Sequence, residues 1–153
     1  MFDEPFFVSK NSLKETVVDT TPAYRKEEFY IGFINKIEGW KTKCKNLHWA
    51  APKKNIHEYL DAFLKILSDY QDSLAEEYMG ILGQMQPNAI SGIACDALNA
   101  IDFIECVRVN TIEFYSTLAE DPMFSGIKSE CETFIHNINK YKYLFSLCDI
   151  RPY

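Results

Sequence analysis

Apolar side chains recur at alternating three- and four-residue intervals along four long stretches, the spacing that puts them on one face of an α-helix. Over residues 22–50 the stripe is Tyr30, Phe33, Ile37, Trp40, Cys44 and Leu47, and Thr21 before Pro22 reads as a capped start. Residues 55–82 carry Ile56, Leu60, Phe63, Leu67, Tyr70, Leu74 and Ile81; Asn55 with Glu58 makes a capping-box-like opening, and Gly83 and Pro87 end the run. The third stretch, 96–119, presents Ala97, Ile101, Ile104, Ile112, Tyr115 and Leu118. Asp121-Pro122 opens the fourth, which carries Ile127, Cys131, Phe134, Ile138, Tyr141, Phe145 and Cys148. Residues 88–95 have room for a short extra helix between the second and third. No stretch alternates as a strand does. The pattern predicts an all-α four-helix bundle over residues 25–149, preceded by an N-terminal segment, 1–24.

Composition narrows the setting. A chain of 153 residues, 47% hydrophobic and 14% aromatic, can bury a core as one domain. No apolar run reaches the roughly 18 residues of a membrane span. Asp3 and Glu4 stand where a secretory signal carries positive charge. Five scattered cysteines, Cys44, Cys95, Cys106, Cys131 and Cys148, with no CxxC pair, read as reduced, buried thiols of a cytosolic protein. A net charge of −6 argues against general affinity for nucleic acid.

Candidate chemistry concentrates in His48, His57, Asp61, Asp72 and Glu76, which include two of the three histidines. Imidazole and carboxylate together suit iron, zinc or manganese. His57 and Asp61 are four apart on the second helix, as are Asp72 and Glu76, so each pair shares a face. All four fall within an arc of roughly 100°, centred roughly 130° from the apolar stripe. They point outward, away from their own bundle. The two pairs are about 22 Å apart along the axis, against metal–ligand bonds of about 2 Å. One chain therefore cannot bring both to one ion. Two copies packed antiparallel about a twofold axis near Ile66-Leu67 can, and they would form the site twice. Ser68 and Ala75 are small enough for close approach, and His48 could complete the shell. Taken alone, such a face ordinarily describes a solvated surface, and spacing does not select between the two.

The runs Asn46-Leu47-His48-Trp49, Ile56-His57-Glu58 with Leu60-Asp61, and Asp72 with Ala75-Glu76 resemble the signature of the Dps family of mini-ferritins. The strong match covers residues 29–83; elsewhere the agreement is in helix order and length, including the short extra helix. The resemblance implies a ferritin-like bundle, a homodimer forming the metal sites and a homododecameric shell. It further implies iron as the bound metal, oxidised from the ferrous state by hydrogen peroxide and stored as a ferric mineral, with protection against oxidative stress. Carried over by position, His48, His57 and Asp61 come from one subunit, and Asp72 and Glu76 from its neighbour. Trp49 would sit beside the site and intercept stray oxidising equivalents.

Two departures stand out. The first interhelix loop, 50–54, is shorter than is usual in the family and lacks its Gly-Pro and aromatic residues, which would shift His48 relative to the other ligands. Glu77 replaces the basic residue that commonly follows the site glutamate and alters local charge. The N-terminal segment lacks the basic character of a DNA-binding arm: residues 1–24 set Lys10 and Lys14 against Asp3, Glu4, Glu15 and Asp19. Phe2, Phe6 and Phe7 suggest packing on the same or a neighbouring subunit, or a mobile apolar tail. Glu120, Asp121, Glu130 and Glu132 fit either an iron access pore at a threefold axis or a solvated helix cap. His136 reads as a packing or surface residue, and Tyr70, Tyr115 and Tyr141 as core. The alternatives to a ferroxidase are a non-enzymatic structural or assembly protein of the same fold, and a DNA-compacting protein.

Overall fold

A computed structural model describes residues 18–151 of the chain, in which the four stripes become four helices. These are α1 (Glu27–Trp49), α2 (Lys54–Leu82), α3 (Ala100–Thr117) and α4 (Ser125–Ser146), with 3-10 turns at Ala23–Arg25 and Pro122–Phe124. Among the described residues there is no strand. Phe2, Phe6 and Phe7 lie outside those residues, as does most of segment 1–24.

Helix starts depart from the sequence expectation where a local cap competes with the long helix. Pro22 opens only the 3-10 turn, because Lys26 is extended and α1 begins after it, at Glu27. Glu27 and Glu28 then place negative charge at the positive end of the helix dipole. On α3, the Asn99 side chain accepts the Asp102 backbone N–H at 2.9 Å, so the helix starts at Ala100 and not at 96. Asp121 caps the Met123 N–H as expected.

Three of the stripes are buried almost as read. In α1 the core takes Tyr30, Phe33, Ile37, Trp40 and Cys44, with Leu47 half-buried. In α2, Tyr78 is enclosed and Ile81 only partly. Helix α3 is the exception. It buries Ala100, Phe103, Ile104, Val107, Thr111 and Phe114, and leaves Ile101 and Ile112 exposed. Its apolar residues occur on most sides, so periodicity offers two faces about 100° apart, and packing chooses between them. The enclosed Thr111 hydroxyl is satisfied by donating to the Val107 carbonyl.

The core is strongly aromatic. Phe33 stacks on Phe114 with ring centroids 4.0 Å apart, Tyr70 on Phe134 at 4.2 Å, and Tyr30 on Tyr78 at 5.5 Å. Phe63, fully buried on α2, meets Phe103 of α3 and Phe134, Tyr141 and Phe145 of α4. These pairs also fix directions. Early α1 meets late α2 through Tyr30–Tyr78, and early α1 meets late α3 through Phe33–Phe114. Both α2 and α3 therefore run antiparallel to α1, and so parallel to one another.

Parallel neighbours in sequence need a connection that travels back along the bundle, and residues 83–99 supply it. They form no helix; the short helix expected at 88–95 is absent, and an irregular strap takes its place. Asn35 of α1 holds it in register. Its side-chain oxygen accepts the Ser91 and Gly92 N–H groups at 2.9 Å, its amide donates to the Ala89 carbonyl at 3.1 Å, and its backbone carbonyl accepts the Ile93 N–H at 2.9 Å. Those bonds satisfy strap groups that a helix would have paired internally. Gly39 lets the strap lie directly on α1: a Cβ there would stand 1.6 Å from the Ile93 carbonyl oxygen.

Gly39→Ala should therefore lift the strap and lower stability by about 1–3 kcal/mol. Gly80→Ala, on α2 with no atom within 4 Å of the new methyl, should raise it by about 0.4–1 kcal/mol. Urea melts of both variants check the pair of signs; equal effects would refute the close-approach account.

Candidate metal centre

The short connection between α1 and α2 sets the geometry at one end of the bundle. Instead of separating His48 from the other ligands, it turns the α1 terminus directly onto the first turns of α2. The imidazoles of His48 and His57 stack with centroids 3.8 Å apart and planes 24° from parallel. Nδ1 of His48 lies 2.8 Å from the His57 carbonyl oxygen, and Nδ1 of His57 lies 2.7 Å from the His48 carbonyl oxygen.

This reciprocal pair has a chemical consequence. A carbonyl oxygen only accepts, so each Nδ1 carries the proton and donates it. In the neutral rings each Nε2 then keeps its lone pair, the form in which imidazole binds a metal. Asp61, one turn along α2 from His57, brings its carboxylate to 4.0 Å from His48 Nε2. Three of the five candidate residues thus lie side by side, with both Nδ1 atoms bound to backbone carbonyls and the Asp61 carboxylate exposed. Trp49 follows as the last residue of α1 and is 70% exposed.

Asp72 and Glu76 lie further along α2, both exposed, while Ile56, Leu60, Phe63, Leu67, Tyr70, Leu74 and Tyr78 of the same helix are buried. His57, Asp61, Asp72 and Glu76 thus all stand on the solvent side of α2. The rise of about 1.5 Å per residue keeps the two pairs apart. Among the described residues, no group of three or more His, Cys, Asp or Glu side chains is placed to hold a metal ion within one chain.

Glu77 behaves differently from its neighbour. One residue past Glu76, it turns into the α2–α4 seam, where its Oε1 occupies the space a Cβ on Gly126 would need. Its Oε2 and the Glu130 Oε2 are both enclosed and have no hydrogen-bond donor. Ser73 donates to the other Glu130 oxygen at 2.5 Å. A proton on one carboxyl supplies the missing donor between them. Burial, then the hydrogen bond and the negative charge of Glu130, push Glu77 from the usual 4.5 up to about 7. The expected change in surface charge is thereby moved from the outward face into the helix seam.

The acidic stretch around the start of α4 is largely absorbed by internal partners. Asp121 pairs with Arg25 at 2.5 Å, Glu120 with Lys128, and Glu132 accepts the Tyr115 hydroxyl at 2.9 Å. An open cleft of about 590 Å³ remains beside Glu120, Asp121 and Glu132. His136 is exposed on α4. Sequence reasoning missed the Glu77–Glu130 pair, since a carboxylate one position from an exposed one gives no periodic signal of burial. No helix among the described residues is long and apolar enough to cross a membrane. Comparison with known protein families, curated proteins and solved structures finds no match to this chain.

The Glu77–Glu130 seam makes stability depend on pH. Between about 4.5 and 7 the folded state holds a proton that the unfolded chain has released, so stability falls as pH rises through that window. Glu77→Gln, neutral at every pH, should flatten this decline and melt at a higher temperature than the wild type near pH 8. Thermal melts near pH 5 and pH 8 test it; parallel pH profiles for the two proteins would show that the carboxyls do not share a proton.

Proposed function

We propose that this protein is an iron-binding ferroxidase and iron-storage mini-ferritin of the Dps type, working in the cytoplasm against oxidative stress. Ferrous iron and hydrogen peroxide are its substrates. Each site is built across a homodimer interface, with His48, His57 and Asp61 from one subunit and Asp72 and Glu76 from the other. The dimers assemble into a homododecameric shell that holds the ferric product.

The observation that carries this reading is the His48–His57–Asp61 cluster, whose carbonyl-bound Nδ1 atoms leave both Nε2 lone pairs unengaged by the backbone, with the exposed Asp61 carboxylate 4.0 Å from that of His48. The parallel course of α2 and α3, joined by a long crossover, further supports a ferritin-like bundle, which has one such connection. An antiparallel copy of α2 would bring the partner's carboxylates to this cluster.

The chemistry follows from the donor set. Two neutral imidazoles and three carboxylates give each shared site a charge of −3, which attracts and nearly balances a pair of ferrous ions. Each ion gives up one electron, the O–O bond of peroxide breaks, and two hydroxides form. Taking both electrons in one event leaves no hydroxyl radical. The carboxylates hold the ions and compensate their charge without accepting electrons. Trp49, exposed next to His48, is placed to be oxidised by any radical that escapes.

Anaerobic loading with ferrous iron, followed by peroxide, should give a fast rise in ferric absorbance. Asp72→Ala or Glu76→Ala should slow it by more than about tenfold. His57→Ala should do the same, yet unfolding and refolding it together with Glu76→Ala should restore about a quarter of the fast sites. Half of the dimers are then mixed, and each mixed dimer has one of its two sites intact. A wild type with no fast phase refutes the ferroxidase. Fast oxidation without complementation refutes the shared site.

A further inference from the structure

The seam between α2 and α4 holds two carboxyls that reach across it in opposite directions. Glu77 of α2 extends to α4, where its Oε1 fills the place of a Cβ on Gly126. Glu130, one turn further along α4, extends back to α2, where the Ser73 hydroxyl donates to its Oε1 at 2.5 Å. Ser73 in turn stands one turn before Glu77, on the same side of α2. The two side chains therefore lie side by side, and the Oε2 atom of each is enclosed with no hydrogen-bond partner. Among the described residues no basic side chain neutralises them. Lys128, Lys140 and Lys142 of α4 are engaged elsewhere, by Glu120, the Tyr141 ring and Glu105.

A further polar group in the same seam is also left over. Tyr70, one turn before Ser73, is only 7% exposed, and its hydroxyl is enclosed without a partner. Its ring stacks at 4.2 Å on Phe134, which follows Glu130 by one turn of α4. Tyr70, Ser73 and Glu130 line one cavity of about 290 Å³, which opens beside the exposed Asp69. Buried hydroxyls are ordinarily hydrogen-bonded. A proton shared by the two carboxyls satisfies their Oε2 atoms and leaves Tyr70 as it was. A small ion that keeps some of its water satisfies all three.

We propose that Glu77 and Glu130, with the hydroxyls of Ser73 and Tyr70, hold a hard divalent cation that clamps α2 to α4. The donors are oxygen throughout, the set preferred by manganese, magnesium and calcium, whereas the outward face of α2 offers imidazole as well. The two positive charges balance two carboxylates. Inside the seam this removes both the repulsion between like charges and the cost of leaving acceptors unpaired. The proton otherwise held between the carboxyls is released when the ion enters. The ligands come from two helices far apart in sequence, so the ion binds the folded chain and stabilises it. No residue of the outward α2 face takes part, and the site stands or falls apart from the ferroxidase reading.

The test counts manganese(II) bound to the full chain from the loss of the free-ion paramagnetic resonance signal. Because the outward face also offers ligands, the parent protein carries His57→Ala and Asp72→Ala, which strip the proposed ferroxidase centre. This parent should bind about one manganese per chain, and it should melt at a higher temperature with the ion than with a chelator. Adding Glu77→Gln or Glu130→Gln, each close in shape to the original and uncharged, should weaken binding by more than about tenfold and abolish the shift in melting. Glu77→Gln removes a buried like charge, so its loss of binding is not a loss of folding, and its melt without metal verifies this. The proposal is overturned if the parent binds no manganese at millimolar concentration. It is equally overturned if the glutamine variants bind as tightly as the parent.

Discussion

Asn35 and Gly39 hold the strap of residues 83–99 against α1, and the arrangement of the four helices depends on that contact. One carboxamide makes three hydrogen bonds to the strap, and one missing Cβ lets its backbone lie on the helix. An irregular segment in contact with a core must satisfy its own polar groups, and here a helix side chain does so. With the strap fixed, α3 starts at the far end of the bundle and runs parallel to α2. The aromatic pairs Phe33–Phe114 and Tyr30–Tyr78 then close the same end of the bundle.

That arrangement encloses one side of α2 and leaves the other to solvent. The two consecutive glutamates near its end separate sharply. Glu76 joins the outward face that carries His57, Asp61 and Asp72, whereas Glu77 enters the seam with α4 and meets Glu130. One residue of helical rotation moves a carboxyl from a setting where charge is well solvated to one where it competes with a like charge. The outward face is thereby left to solvent, while the seam becomes a source of pH sensitivity. At the opposite end of α2, the tight turn from α1 stacks two imidazoles and engages both Nδ1 atoms with backbone carbonyls.

Much of the fold was legible in the residues. The stripes of α1, α2 and α4 read correctly because each has one apolar face and polar residues elsewhere, so periodicity has a single solution. Helix α3 did not, since Ile101, Val109 and Ile112 are as apolar as the residues it buries. The short helix expected at 88–95 was likewise a matter of context. Its residues have no strong helical pattern, and Asn35 and Gly39, far away in sequence, offer backbone partners that an isolated segment lacks. The shortened loop after His48 turns the end of α1 onto α2 and seats His48 on His57, a contact that spacing within one helix does not predict.

By itself, then, the sequence determined the four helices, most of their buried faces, and the placing of His57, Asp61, Asp72 and Glu76 on the solvent side of α2. Those features depend on spacing within a single helix, where the backbone geometry relates residue number directly to direction. Tertiary structure alone decided which face of α3 is buried, how the strap crosses α1, which tautomer each imidazole adopts, and that Glu77 meets Glu130 on α4. Each of these depends on an atom brought close from a distant part of the chain, and no periodicity within one segment encodes that.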